Sequence, residues 1–122
     1  MTVGTWILVG LLGGVGAVCR FVVDGLVSER VNAGSFPWGT FVVNLSGAAL
    51  LGGLAGAAIS GNALLLAGTA TLGSYTTLST WMLETHRLGQ GDQLVVAAAN
   101  LAGSLLIGFG AAAAGHAIGG AL

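Results

Sequence analysis

The sequence predicts an all-α integral membrane protein with four membrane-spanning helices. Three observations predict it. Only 6% of the 122 residues are charged, against about a quarter in a soluble domain. Mean hydropathy is +0.95. The charges also fall so as to leave three long charge-free runs, Met1 to Cys19, Val31 to Leu83 and Gln93 to Leu122. Three arginines and four acidic residues cannot cover the surface of a soluble globule of this size. The runs lack the alternation of a membrane barrel, so helices are expected to satisfy the backbone inside lipid. A net charge of -1 leaves no basic patch, so no nucleic-acid partner is expected. The single cysteine makes no internal disulfide, and no Cys/His cluster has metal-ligand spacing. No nucleophile–base pair or acid pair is present, so an enzyme is not expected.

The first run gives helix one, roughly residues 4–27. Its Gly10 to Gly16 cluster lies inside a span and is no dinucleotide fingerprint. Arg20 sits in the last third of this helix. It can snorkel to the interface, pair with Asp24 one turn on, or set a positive potential at a vestibule mouth. The first connection, Ser28 to Trp38, carries Ser, Glu, Arg, Asn and Gly, and Pro37 suits the start of a helix. The second run is more than twice the length of one span, about 20 residues, and is expected to hold two helices. The turn is placed at Ser60-Gly61-Asn62, giving helix two at 39–59 and helix three at 63–86. Asp92 is expected to cap helix four, at 93–118.

Polar groups inside a membrane are costly and usually functional. Here they concentrate in helix three, where eight of the twelve side chains from Thr69 to Thr80 carry hydroxyls. Gly73-Ser74-Tyr75 is a poor helix segment at mid-span, which predicts a broken helix with freed backbone groups. The competing reading is that each hydroxyl bonds back to the carbonyl four residues earlier. Beyond the break, Thr76, Thr77, Thr80 and Glu84 are expected on one helical face, with Leu78 and Trp81 beside it. Asn100, Ser104 and Gly108 repeat every fourth residue on helix four as a thin polar stripe. Asn44 lies about one and a half turns into helix two. Together these groups can line a path rich in hydrogen-bond donors and poor in fixed charge, which suits a small anion. The plainer role for each asparagine is to join helices. Glycines four apart (Gly10 and Gly14, Gly52 and Gly56, Gly115 and Gly119) predict close packing within the bundle or between subunits. Four short helices do not easily enclose a polar path alone, so an oligomer is expected.

These motifs resemble the Fluc/CrcB family of small fluoride channels over nearly the whole chain. In helix one, Gly13 to Arg20 matches a pattern of glycines followed by an arginine. In helix two, G-T-F-V-V-N-L-S-G (Gly39 to Gly47) matches G-T-x-x-V-N-x-x-G. In helix three, G-S-Y-T-T-L-S-T-W-M-L-E (Gly73 to Glu84) matches G-G-x-T-T-F-S-T-F-x-x-E. Asn100 to Gly108 fits more loosely. The resemblance implies an antiparallel, dual-topology dimer with two fluoride pathways and passive export of the anion. It implies a structural, untransported sodium at the dimer centre, held by main-chain carbonyls at Gly73 and Thr76. A hard cation wants oxygens, and a broken helix offers them. It further implies a pore asparagine at Asn44, a hydroxyl track at Thr77, Ser79 and Thr80, an intramembrane arginine at Arg20 and an acidic residue at Glu84. A multi-pass protein of the cell membrane is expected.

The chain departs from the pattern at the anion lining. The family's two pore phenylalanines offer electropositive ring edges, and here Leu78 and Trp81 stand in those positions. Ser74 replaces a glycine, and Asn100 stands near where many members have tyrosine. The partner is therefore either a second copy or a second family member in a heterodimer. Arg30 and Arg87 both belong to one side, which predicts outside termini by the positive-inside rule. A small multidrug-type transporter also has four helices. It would need a carboxylate within the first span, and residues 4–19 contain none.

Overall fold

The computed structural model describes residues 2–31 and 34–122, which form helices and short connections. Met1 and Asn32, named above in the first run and first connection, lie outside the described residues. Helix α1 is Val3–Arg30, opened by Thr2, whose hydroxyl accepts the Thr5 N–H at 3.2 Å. Helix α2 is Trp38–Gly56 and begins directly after Pro37, whose carbonyl accepts the Phe41 N–H at 3.1 Å. Helix α3 covers 61–75, α4 is Ser79–Gln90 and α5 is Leu94–Gly120. Two stretches wind more widely, as π-helix, over Leu65–Leu72 in α3 and Ala99–Gly103 in α5.

Two connections differ from the sequence expectation. The turn after α2 lies at 57–60, ahead of Ser60-Gly61-Asn62. Ala58 adopts a left-handed φ of 58°, and Ile59 N–H reaches back to the Leu54 carbonyl at 3.0 Å. That is a Schellman closure made with alanine, which leaves no glycine signal to read. Asp92 does not cap the following helix. It is left-handed (φ 59°) and closes the end of α4, with Gln93 N–H on the Leu88 carbonyl at 3.0 Å.

α1, α2 and α5 are long and apolar enough to cross a membrane. Ile7, Leu11, Val18 and Phe21 of α1 and Leu105, Leu106 and Phe109 of α5 point outward and exposed. In water such a surface would aggregate, whereas in lipid it is solvated. Packing is closest between α2 and α5. A Cβ on Gly52 would overlap the backbone of Ala112, one on Gly56 that of His116, one on Gly115 that of Ala49 and one on Gly119 that of Gly53. Two of the three glycine pairs thus hold the chain against itself. The third is not so used, since Gly10 and Gly14 have nothing within 4 Å, and the same is true of Gly103, Gly108 and Gly110.

α1 covers α2 and α3. A Cβ on Gly16 would meet the Thr71 carbonyl and the Ser74 hydroxyl, and one on Gly39 would meet Asp24. The buried set is Val43, Ala70, Leu88 and Ala97 with the polar Thr40, Thr77 and Asn100. Ser35 Oγ donates to the Gln93 side chain, so the first and third connections meet at one end. Phe36, Trp38 and Phe41 cluster there, with ring centroids 4.7 to 5.7 Å apart.

Candidate functional site

The site is built where α3 stops. Gly73–Tyr75, expected to be non-helical, are helical; the chain leaves helical geometry one residue later, at Thr76 (ψ 163°), and α4 starts at Ser79. Hydroxyls divide their work around this point. Those of Ser74 and Thr76 do bond back four residues, to Ala70 at 2.7 Å and Leu72 at 3.1 Å. That of Thr71 reaches back five, to Leu66 at 2.7 Å, following the wider winding. Tyr75 OH pairs with Ser46 Oγ at 2.9 Å, tying α3 to α2. Back-bonding therefore accounts for part of the hydroxyl cluster and not for Tyr75 or Thr77.

Asn44 secures the interruption. Its Nδ2 donates to the Thr77 carbonyl at 2.8 Å, and its Oδ1 accepts the Thr77 N–H at 2.8 Å. Both backbone groups of a non-helical residue are thereby satisfied away from water. Thr77 Oγ1 in turn accepts the Thr80 N–H at 3.1 Å and caps α4. These bonds have a second effect. In an unbroken helix Thr77 N–H would serve the Gly73 carbonyl and Thr80 N–H the Thr76 carbonyl. Both donors are turned to side-chain oxygens, so both carbonyls lose their helical partner.

Two recesses flank Thr77, which lines both. The larger, about 730 Å³ and open on one side, runs between α2, α3 and α5. Of the expected residues it gathers Asn44, Gly73, Thr76, Thr77, Leu78, Trp81 and Ser104, and none of its lining residues is charged. Leu78 stands at its rim, 66% exposed. The smaller, about 190 Å³, holds Arg20, Asp24, Thr40, Thr77 and Thr80. Arg20 and Asp24 share this recess, and Asp24 accepts the Ser28 hydroxyl at 3.3 Å. Ser79 is exposed, with its hydroxyl 3.4 Å from that of Thr77. Glu84 lines neither recess, and its Oε1 is buried without a hydrogen-bond partner.

Two sequence expectations change. Thr76 and Thr77 precede α4, so they do not share a helical face with Thr80 and Glu84; Thr77 joins Thr80 through the cap instead. Asn100 stays in line with Ser104, whose hydroxyl lies 3.5 Å from its Oδ1, but it does not line the recess that Ser104 and Gly108 face. It is fully buried, and its Nδ2 donates to Thr85 Oγ1 at 2.8 Å. Its carbonyl accepts the Trp81 indole N–H at 2.9 Å. The sequence reading missed Thr85, and a single threonine near a helix end carries no signal that would find it. It also left Tyr75 and Ser46 unassigned. Among the described residues no group of three or more His, Cys, Asp and Glu is placed to hold a metal.

Residues 7–116 match the family described as CrcB-like protein, Camphor Resistance (CrcB). The chain belongs to the CrcB family. It is 59% identical over 115 residues to Fluoride-specific ion channel FluC 2 of Mycolicibacterium paratuberculosis, covering 94% of this chain and 93% of the relative. It is 54% identical over 116 residues to FluC 2 of Mycobacterium tuberculosis, covering 95% and 91%. It is 42% identical over 122 residues to FluC 1 of Frankia casuarinae, covering 93% and 94%. As a CrcB chain with three apolar crossing helices it is a multi-pass membrane protein, and it is not an enzyme.

Proposed function

We propose that this CrcB chain is a subunit of a fluoride-specific channel of the cell membrane that exports F⁻ passively and so reduces cytoplasmic fluoride toxicity. The observation that carries the reading is the 59% likeness, over nearly the full chain, to a relative named a fluoride-specific channel. The site chemistry agrees with it. A small anion must shed water without being trapped by fixed charge, and the larger recess is uncharged with amide and hydroxyl groups on its wall. Hydrofluoric acid crosses lipid as a neutral molecule and dissociates inside. A membrane potential negative inside then drives the anion outward. The pore residues in this reading are Asn44, Thr77, Leu78, Ser79, Thr80, Trp81 and Ser104, with Arg20 and Glu84 as charges near the path. Asn100 acts from behind the wall.

The open side of the larger recess takes a second subunit, in the antiparallel dual-topology arrangement that the family resemblance implies. A structural sodium fits the interruption. The Gly73 and Thr76 carbonyls have lost their helical donors, both residues line the recess, and oxygen is the donor a hard cation prefers. When bound, the ion would neutralise these oxygens and hold the two halves of the broken span together.

The test is fluoride efflux from liposomes containing this chain alone, with chloride as control. Efflux of fluoride and not chloride is expected. No efflux from folded protein would overturn conduction by the chain alone. One observation favours that second reading, a partner-dependent subunit of a heterodimer: the rim residue Leu78 is aliphatic and exposed, where a ring edge would serve an anion better. Co-reconstitution with a second family member then distinguishes the two.

A further inference from the structure

Trp81 and Asn100 are joined twice. The Trp81 indole N–H donates to the Asn100 carbonyl at 2.9 Å. In return, Asn100 Nδ2 donates to Thr85 Oγ1 at 2.8 Å, and Thr85 Oγ1 donates to the Trp81 carbonyl at 2.8 Å. Side chain meets main chain in both directions, and the loop closes α4 onto the π-wound turn of α5. Asn100 is wholly buried, and Ser104 Oγ lies 3.5 Å from its Oδ1. Trp81 itself lines the larger recess.

We propose that Asn100 and Thr85 are positioning residues that fix the Trp81 ring and keep its N–H inside the fold, so that the ring offers the recess only carbon edges. Indole has a single polar atom, and that atom is engaged with Asn100. A free N–H would be a strong, directional donor that holds an anion in place. Ring-edge hydrogens attract it weakly and let it go. Tryptophan at this position therefore presents the same chemistry as a phenyl ring, held by its indole bond to Asn100, whose side chain is in turn held by Thr85. This inference rests on the channel reading for its consequence in flux, while the lock itself is read without flux.

The experiment uses the full chain with Trp6→Phe and Trp38→Phe, which leaves Trp81 as the only tryptophan. Substituting buried Asn100 risks the fold, so the probe is the hydroxyl at 85: Thr85→Val removes it at constant shape and Thr85→Ser restores it. The expected result is low rotational freedom of Trp81, by fluorescence anisotropy, in the parent and in Thr85→Ser, and clearly greater freedom in Thr85→Val. Fluoride efflux is expected to fall in Thr85→Val by a factor of several, up to about tenfold, the effect of one hydrogen bond, and to recover in Thr85→Ser. Equal anisotropy in all three would overturn the lock. Released anisotropy with undiminished efflux would overturn its part in conduction. A parent with an immobile Trp81 and no efflux would instead count against the channel reading for the lone chain and leave the lock standing.

Discussion

Asn44 meets one residue with both ends of its amide, and few single side chains in this protein have as much resting on them. Asn44→Ala leaves the Thr77 N–H and C=O unsatisfied in a buried setting. A loss of about 1–3 kcal/mol per stranded group is the usual scale. The expected outcome is a lower unfolding midpoint in detergent together with reduced fluoride efflux; unchanged values of both would remove Asn44 from the site. Leu78 is the opposite case. At 66% exposure it can be replaced at little cost, within about 0.5 kcal/mol for a surface change. Leu78→Phe is expected to leave the unfolding midpoint in place and to raise the efflux rate. The types of these residues were legible in the sequence, because an amide or a row of hydroxyls within a span is conspicuous. Their partners were not. Nothing in the spacing says that Asn44 bonds the main chain of Thr77, or that Asn100 turns inward to Thr85.

At the scale of elements, α2 and α5 meet backbone to backbone. Gly56→Ala would drive a methyl group into the main chain of His116, which no rotamer change can relieve. Overpacking of this kind costs about 1–3 kcal/mol, so a clear drop in unfolding midpoint is expected, read against an unaltered midpoint for Gly10→Ala. The interrupted span gives a second prediction. Replacing sodium with a large organic cation is expected to lower the unfolding midpoint, because an ion that binds only the folded form stabilises it. An unchanged midpoint would argue against the cation site at Gly73 and Thr76. Helix existence was readable from the charge-free runs. The two π-wound stretches were not, because an i-to-i+5 ladder has no distinct residue signature in Leu65–Leu72 or Ala99–Gly103. The four-residue step from Asn100 to Ser104 survives the wider winding, with 3.5 Å between their side-chain oxygens, but the spacing gave no sign that Asn100 is buried.

For the molecule as a whole, the charge distribution is lopsided. Ser35 and Gln93 join the first and third connections at one end, and Arg30 and Arg87 belong to the helices that run into them. Lys and Arg bias loops toward the cytoplasm. For a chain that pairs with a different family member, a reporter fused to the C-terminus is therefore expected to read mostly periplasmic; an even split would show a chain that inserts both ways, as a pair of identical antiparallel copies requires. The helical membrane class followed from composition alone. Motif order and spacing pointed to the family. What one chain's sequence could not convey is the surface it presents to a neighbour, since apolar residues facing lipid and apolar residues facing another subunit look alike.

Among the glycines whose added Cβ would meet nothing within 4 Å are five in α1 and α5, at 10, 14, 103, 108 and 110. Every missense change of a glycine codon adds a Cβ, so in a lone protomer these positions should accept alanine freely. Selection for growth in fluoride asks a different question, because it acts on the assembled protein. Any of the five that rejects alanine under that selection must be touching something outside its own chain. In the proposed dimer, the pattern of intolerance would trace the outline of the second subunit, drawn by fitness and obtained without ever isolating the complex.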